Sequence, residues 1–199
     1  MKNESQHSTD RQHRPGIILT IGHSTKTLDE FIQLLKFQGA TKLVDVRAIP
    51  RSRFNPQFNS ETLPVALGSH GISYLHMPGL GGLRHSRSDT INKGWLNTAF
   101  MSFADYMQTP EFEVNILALI KLAEADLPAL MCAEAAPWHC HRSLIADALL
   151  VRDVRVEHII NHGPRRVHVL TPWAMVNGTR VTYPIQALAN EPSRQLVGV

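Results

Sequence analysis

The chain has no run of about 18 apolar residues, so no membrane-spanning helix is expected from it. Its first residues are polar and lack the hydrophobic stretch of a secretion signal, which points to a cytoplasmic protein. Cysteine is scarce: Cys132 and Cys140 are the only two. That count excludes a disulfide-stapled secreted scaffold, and in a reducing compartment two thiols read as free groups or ligands. An excess of one charge is also missing. The 20 Lys and Arg against 17 Asp and Glu leave a formal charge of +3, too little to predict nucleic-acid binding by itself. Internal repeats and low-complexity blocks are absent. What is present, 43% hydrophobic residues over 199 positions, suits one globular domain with a sizeable core.

Residues 1–15 are polar and aperiodic and read as a mobile tail ahead of a domain spanning 16–199. Ile17–Ile21 is a β-branched run of the kind that forms a buried strand. Thr27-Leu-Asp-Glu30 has the form of a capping box, Leu28, Phe31, Ile32 and Leu35 keep helical spacing, and Gly39 is a natural stop. Strands are expected at 42–46, 72–75, 129–132 and 154–160. Helices are expected near 63–67, at 100–107 and 112–123 on either side of Thr109-Pro110, and at 142–151. Residues 165–170 and 174–183 look extended, and Asn177-Gly178 signals a hairpin in an extension at about 165–185, with Pro172 making its first arm an edge. Alternating strands and helices predict an α/β fold. Its expected form is a single three-layer, Rossmann-like domain with a mainly parallel sheet, helices on both faces and a C-terminal β-hairpin.

The unusual polar clusters all follow strands: Gly22–Thr25, Asp45–Arg53, His76–Gly82 and Cys132–Arg142. In open α/β sheets such loops share the carboxyl edge, where ligands bind. GHST, LVDVRAIPRSRFNPQFN, YLHMPGLGG and CAEAAPWHCHR, in this order and spacing, resemble the Domain of Unknown Function 488 family from about Ile17 to His158. The ending TPWAMVNGTRVTYP is similar to one found in many members. The resemblance implies a compact α/β fold and supplies no activity.

The chemistry therefore rests on the residues. Arg47, Arg51 and Arg142 sit at strand exits or a helix start, where guanidinium forks match phosphate or carboxylate. With His23, Ser24 and the close-approach glycines Gly81 and Gly82, they form a candidate site for an anionic ligand. The plainer alternative is that Arg47 pairs with Asp45 or Glu134 and the glycines only turn the chain. The Cys132 strand end leading to Arg142 is similar to rhodanese-like and cysteine-phosphatase loops, so Cys132 or Cys140 is a candidate nucleophile. Nine intervening residues are too many for a tight cradle, and a buried inert thiol is the alternative. Glu134 and His76 are candidate proton carriers. Cys140, His141 and His76 are candidate metal ligands, but the Cys-x7-Cys-His spacing is not a standard zinc pattern, and no metal or cofactor is assigned. Trp138 could stack a base, and an anion cradle beside an aromatic wall would suit a nucleotide or nucleic-acid end. Two readings follow: an enzyme-like protein binding a phosphate-bearing small molecule or nucleic-acid component, or a non-catalytic nucleic-acid or protein binding module using the same arginines.

Overall fold

Hydrophobic alternation along the strands decides the layering. A computed structural model describes residues 16–85 and 87–185; the expected polar tail at 1–15 lies outside the described residues. Strands β1 (Ile17–Gly22), β2 (Lys42–Asp45), β3 (Ser73–His76), β4 (Pro128–Cys132) and β5 (Arg155–Ile159) are parallel neighbours in the order β3-β2-β4-β1-β5. A two-residue strand β6 (Arg166–Val167) adds antiparallel to β5 and completes a six-stranded sheet.

Successive residues face opposite sides of a strand. Leu19, Ile21, Leu43, Ala129, Met131 and Ile159 therefore form one core, with Phe31, Ile32, Leu34 and Leu35 of α1 (Leu28–Phe37) and Leu63 and Leu67 of α2 (Leu63–Gly68). Ile18, Val44, Leu130 and Val156 form the other with α3 (Thr98–Tyr106), α4 (Pro110–Leu122) and α5 (Arg142–Leu150). The expected α/β architecture with helices on both faces is what the chain adopts. The capping box opens α1: the Thr27 hydroxyl accepts from the Glu30 amide at 3.2 Å, and the Thr27 amide donates to Glu30 Oε2 at 2.8 Å. Pro110 occupies the first turn of α4, where a missing amide costs nothing, so the α3–α4 break falls where the sequence places it.

One boundary differs from expectation. The hairpin is shorter, β7 (Met175–Asn177) with β8 (Arg180–Thr182), while the 165–170 arm supplies β6 to the edge of the main sheet. Gly178, at φ 58°, takes the left-handed turn position that a side chain resists.

Candidate functional site

In register, Gly22 lies beside Cys132, and Asp45 beside Met131 and His76, so four strands end at one level. The pairing continues past the strand ends: the His23 amide donates to Cys132 O at 3.0 Å, the Ser24 amide to Ala133 O at 2.9 Å and the Val46 amide to Met131 O at 3.0 Å. Gly22 is required there, because a Cβ on it would meet Glu134 O at 1.8 Å. The four loops enclose a crevice of about 490 Å³, lined by His23, by Arg47, Ala48, Ile49, Arg51 and Ser52, by Gly82, and by Cys132–Glu134 and His139–His141. Asn55 and the start of α3 close it.

The arginines divide in the folded chain. Arg47 is held by buried Asp45, with Nε to Oδ1 at 2.9 Å and Nη2 to Oδ2 at 2.6 Å, and Nη2 also donates to Phe58 O at 2.6 Å. Tyr74 adds its hydroxyl to Asp45 Oδ2 at 2.8 Å. The plainer alternative for Arg47 is therefore present in the fold, yet its Nη1 has no hydrogen bond among the described residues and the side chain still lines the crevice. Arg51 is exposed at the mouth and pairs with Glu61. Arg142 does not line the crevice. Among the described residues it is the largest fully buried side chain; its Nη2 donates to Glu134 O, and its Nε has no partner there. It braces the Cys132–His141 loop from behind, as a buried cation with no carboxylate partner among the described residues.

Cys132 and Cys140 meet at the crevice floor, only 3% and 4% exposed, with their sulfurs 2.7 Å apart as hydrogen-bonded thiols. Cys140 Sγ also lies 3.5 Å from His141 Nδ1, while His141 Nε2 is 3.1 Å from Val46 O. With Nε2–H donated to that carbonyl, Nδ1 is left free to accept the Cys140 proton. Gly82 makes this possible, since a Cβ there would come within 2.7 Å of His141 Nδ1. Burial pushes the Cys140 thiol up, but hydrogen bonds from Cys132 and His141 and the charges of His141 and Arg142 outweigh it and hold Cys140 well below its usual value. Burial and the contact with Cys140 push Cys132 well above. Of the two, Cys140 is therefore the thiol more readily deprotonated.

His23 is buried and stacked on Phe58 at 4.3 Å. Its Nδ1–H donates to Ser24 O at 2.8 Å, leaving Nε2 a buried acceptor without a partner among the described residues. Burial lowers its pKa. Glu134 is exposed in the crevice with its carboxylate unpaired among the described residues. The remaining candidates stand outside. Ser24, at φ 50°, takes part through its amide; Gly81 packs against Ala48, which a Cβ would approach to 2.8 Å; His76 Nε2 bonds Arg47 O at 2.8 Å. Trp138 lines a different crevice. Among the described residues no three His, Cys, Asp or Glu side chains gather as a metal site.

Residues 27–149 match the family model described as Domain of unknown function DUF488. The chain belongs to that family. Membership carries no activity with it. No curated protein and no solved structure matches the chain, and no helix among the described residues is long and apolar enough to cross a membrane.

Sequence reasoning missed two features of this edge. One is His141 as a base for Cys140, where the sequence pattern points to a metal ligand although the two residues are adjacent. The second is a buried chain behind the sheet. Thr20 Oγ1 meets His158 Nδ1 at 2.8 Å, His158 Nε2 meets His168 Nδ1 at 3.0 Å, and His168 Nε2 meets Asp147 Oδ1 at 2.8 Å. Tyr183 donates its hydroxyl to Asp147 Oδ2 at 2.8 Å. Asp147 inside the apolar run 144–150 and His158 just before Ile159-Ile160 are the available signals.

Proposed function

We propose that this DUF488 protein is a thiol-dependent enzyme acting on a small anionic substrate in the carboxyl-edge crevice. The observation that carries the reading is the Cys140–His141 contact, with His141 oriented by Val46 O, because nucleophile, base and orienting group are the minimal parts of an activated thiol. His141 Nδ1 takes the Cys140 proton, and the Cys132 S–H and the buried Arg142 charge stabilise the thiolate. Attack forms a bond from Cys140 Sγ to the electrophilic atom, the bond to the leaving group breaks, and the proton returns from His141 to that group. The anion would be held by Arg51 and Arg47 Nη1, with Glu134 free to move a proton at the mouth. A non-catalytic module built on the same three arginines has less support, since Arg142 is buried behind the loop and Arg47 is bound to Asp45.

Iodoacetamide alkylation tests the reading. Cys140 should react faster than free cysteine at pH 7, inorganic phosphate should slow that reaction, and Arg51→Ala should weaken the protection. The proposal fails if neither thiol outpaces free cysteine at neutral pH, or if phosphate protects the Arg51→Ala protein as well as the wild type.

A further inference from the structure

Cys132 ends β4, and Cys140 follows the 3₁₀ turn Pro137–His139. The turn brings the second thiol back onto the first, with the sulfurs 2.7 Å apart and both residues on the crevice lining. No disulfide joins them. As a hydrogen-bond donor to Cys140, Cys132 does nothing that a hydroxyl would not do as well. What a second thiol adds is the capacity to attack a neighbouring sulfur and expel the group bonded to it. An acyl or phosphoryl adduct on Cys140 would gain nothing from that, because attack by Cys132 would only move the group from one sulfur to the other. An oxygen adduct is different: Cys132 attacks the Cys140 sulfur itself, and the oxygen leaves as water.

Access narrows the oxidant. The two cysteines are only 3% and 4% exposed. A disulfide substrate would have to bring a carbon substituent on each of its sulfurs to that floor, whereas a hydroperoxide presents a terminal oxygen carrying only hydrogen. We infer that the thiol pair reduces hydroperoxides, with Cys140 as the attacking thiol and Cys132 as the resolving one. His141 Nδ1 takes the Cys140 proton, Cys140 Sγ bonds to the terminal peroxide oxygen, and the O–O bond breaks. The departing oxygen receives the proton from His141 and leaves as an alcohol or water, with Cys140 now a sulfenic acid. Cys132 Sγ then attacks Cys140 Sγ, the S–O bond breaks, and the Cys132 proton leaves with the hydroxyl as water. The thiols have given two electrons to the peroxide and the 2.7 Å contact has become an S–S bond of about 2 Å. An external dithiol returns both hydrogens and is itself oxidised to a disulfide. The peroxide chemistry rests on the activation of Cys140 by His141 proposed above, and adds the electrophile and the part of the second thiol.

The test exposes the reduced full chain at pH 7 to a limiting amount of hydrogen peroxide or cumene hydroperoxide and follows free thiols and protein mass. The expected result is loss of both thiols for each peroxide consumed, without dimer, at least about tenfold faster than free cysteine. Dithiothreitol should restore both thiols. In Cys132→Ser the oxidation should stop at a Cys140 sulfenic acid that dimedone traps, and in Cys140→Ser the fast reaction should be lost. Fast oxidation by only one of the two peroxides supports the same chemistry and identifies its source. Wild-type oxidation no faster than free cysteine overturns the inference. So does a wild-type sulfenic acid that accumulates and is trapped by dimedone, or a disulfide formed between molecules. Those wild-type outcomes decide the matter even if the Cys132→Ser protein folds poorly. Slow peroxide oxidation beside fast, phosphate-protected alkylation overturns the peroxide chemistry alone, whereas slow alkylation overturns the proposed function with it.

Discussion

Replacing His158 with Gln should change how the stability of the protein depends on pH. His158 lies between Thr20 and His168 in the chain that ends on Asp147. Burial, then the His168 ring, then the charges of Arg142 and Arg166 push its pKa from 6.5 down to about 3. The folded protein therefore keeps this imidazole neutral where the unfolded chain protonates it. For a base with a lowered folded pKa, stability is complete above about pH 6.5 and is lost as pH falls toward 3. At pH 5 the unfolded imidazole is almost fully protonated and the folded one almost not at all. The difference of about 1.5 pH units below 6.5, at 1.36 kcal/mol per unit, removes about 2 kcal/mol. For a domain of this size that lowers Tm by about 4–8 °C between pH 8 and pH 5.

The assay is urea unfolding of wild type and His158→Gln at a series of pH values from 8 to 5. The variant should be less stable at pH 8 by about 1–3 kcal/mol, because the network loses a partner. Its loss on acidification should nevertheless be smaller than the wild type's by about 2 kcal/mol. His23, whose pKa burial also lowers, acts in the same direction in both proteins and cancels in the comparison. Parallel pH profiles would refute the reasoning, as would an imidazole NMR titration placing His158 near 6.5.

Asp45→Asn should cost about 3–5 kcal/mol in urea unfolding, since it strips buried Arg47 of its counter-charge and weakens the Tyr74 contact. Gly22→Ala should cost about 2–4 kcal/mol, because the new Cβ would run into Glu134 backbone that cannot rotate away. The pH profile of Cys140 alkylation should lie below that of free cysteine, and Cys132→Ala should move it to higher pH by removing the S–H donor; an unmoved profile would separate the two thiols. Diamide should take one hydrogen from each thiol and close an intramolecular disulfide, read as the loss of both free thiols with no dimer.

The fold was legible in the sequence because its signals are local and agree with one another. Thr27 and Glu30 cap α1, Pro110 starts α4, and the apolar residues of β1 and β2 alternate between two cores. The site was legible to the level of the sheet edge and no further. Loops leaving parallel strands must converge, so His23, Arg47, Arg51, Cys132 and Cys140 come together whatever their side chains do. Which way a side chain leaves a loop depends on the turn within it. Trp138 and His139 are adjacent in one 3₁₀ turn, yet they line different crevices, and no periodicity over three residues encodes that.

Arg142 illustrates the same limit in energetic terms. At a helix start beside polar loops, an arginine looks like an anion anchor. Folding instead places its guanidinium under the Glu134 carbonyl, fully buried, with Nε unsatisfied. A buried cation without a carboxylate is costly. Its charge works to lower the pKa of both thiols, adding to the contacts from Cys132 and His141 that hold Cys140 below its usual value. The residue that looked like a ligand contact therefore faces the thiol pair and not the crevice, and on the proposed reading its charge favours deprotonation of Cys140.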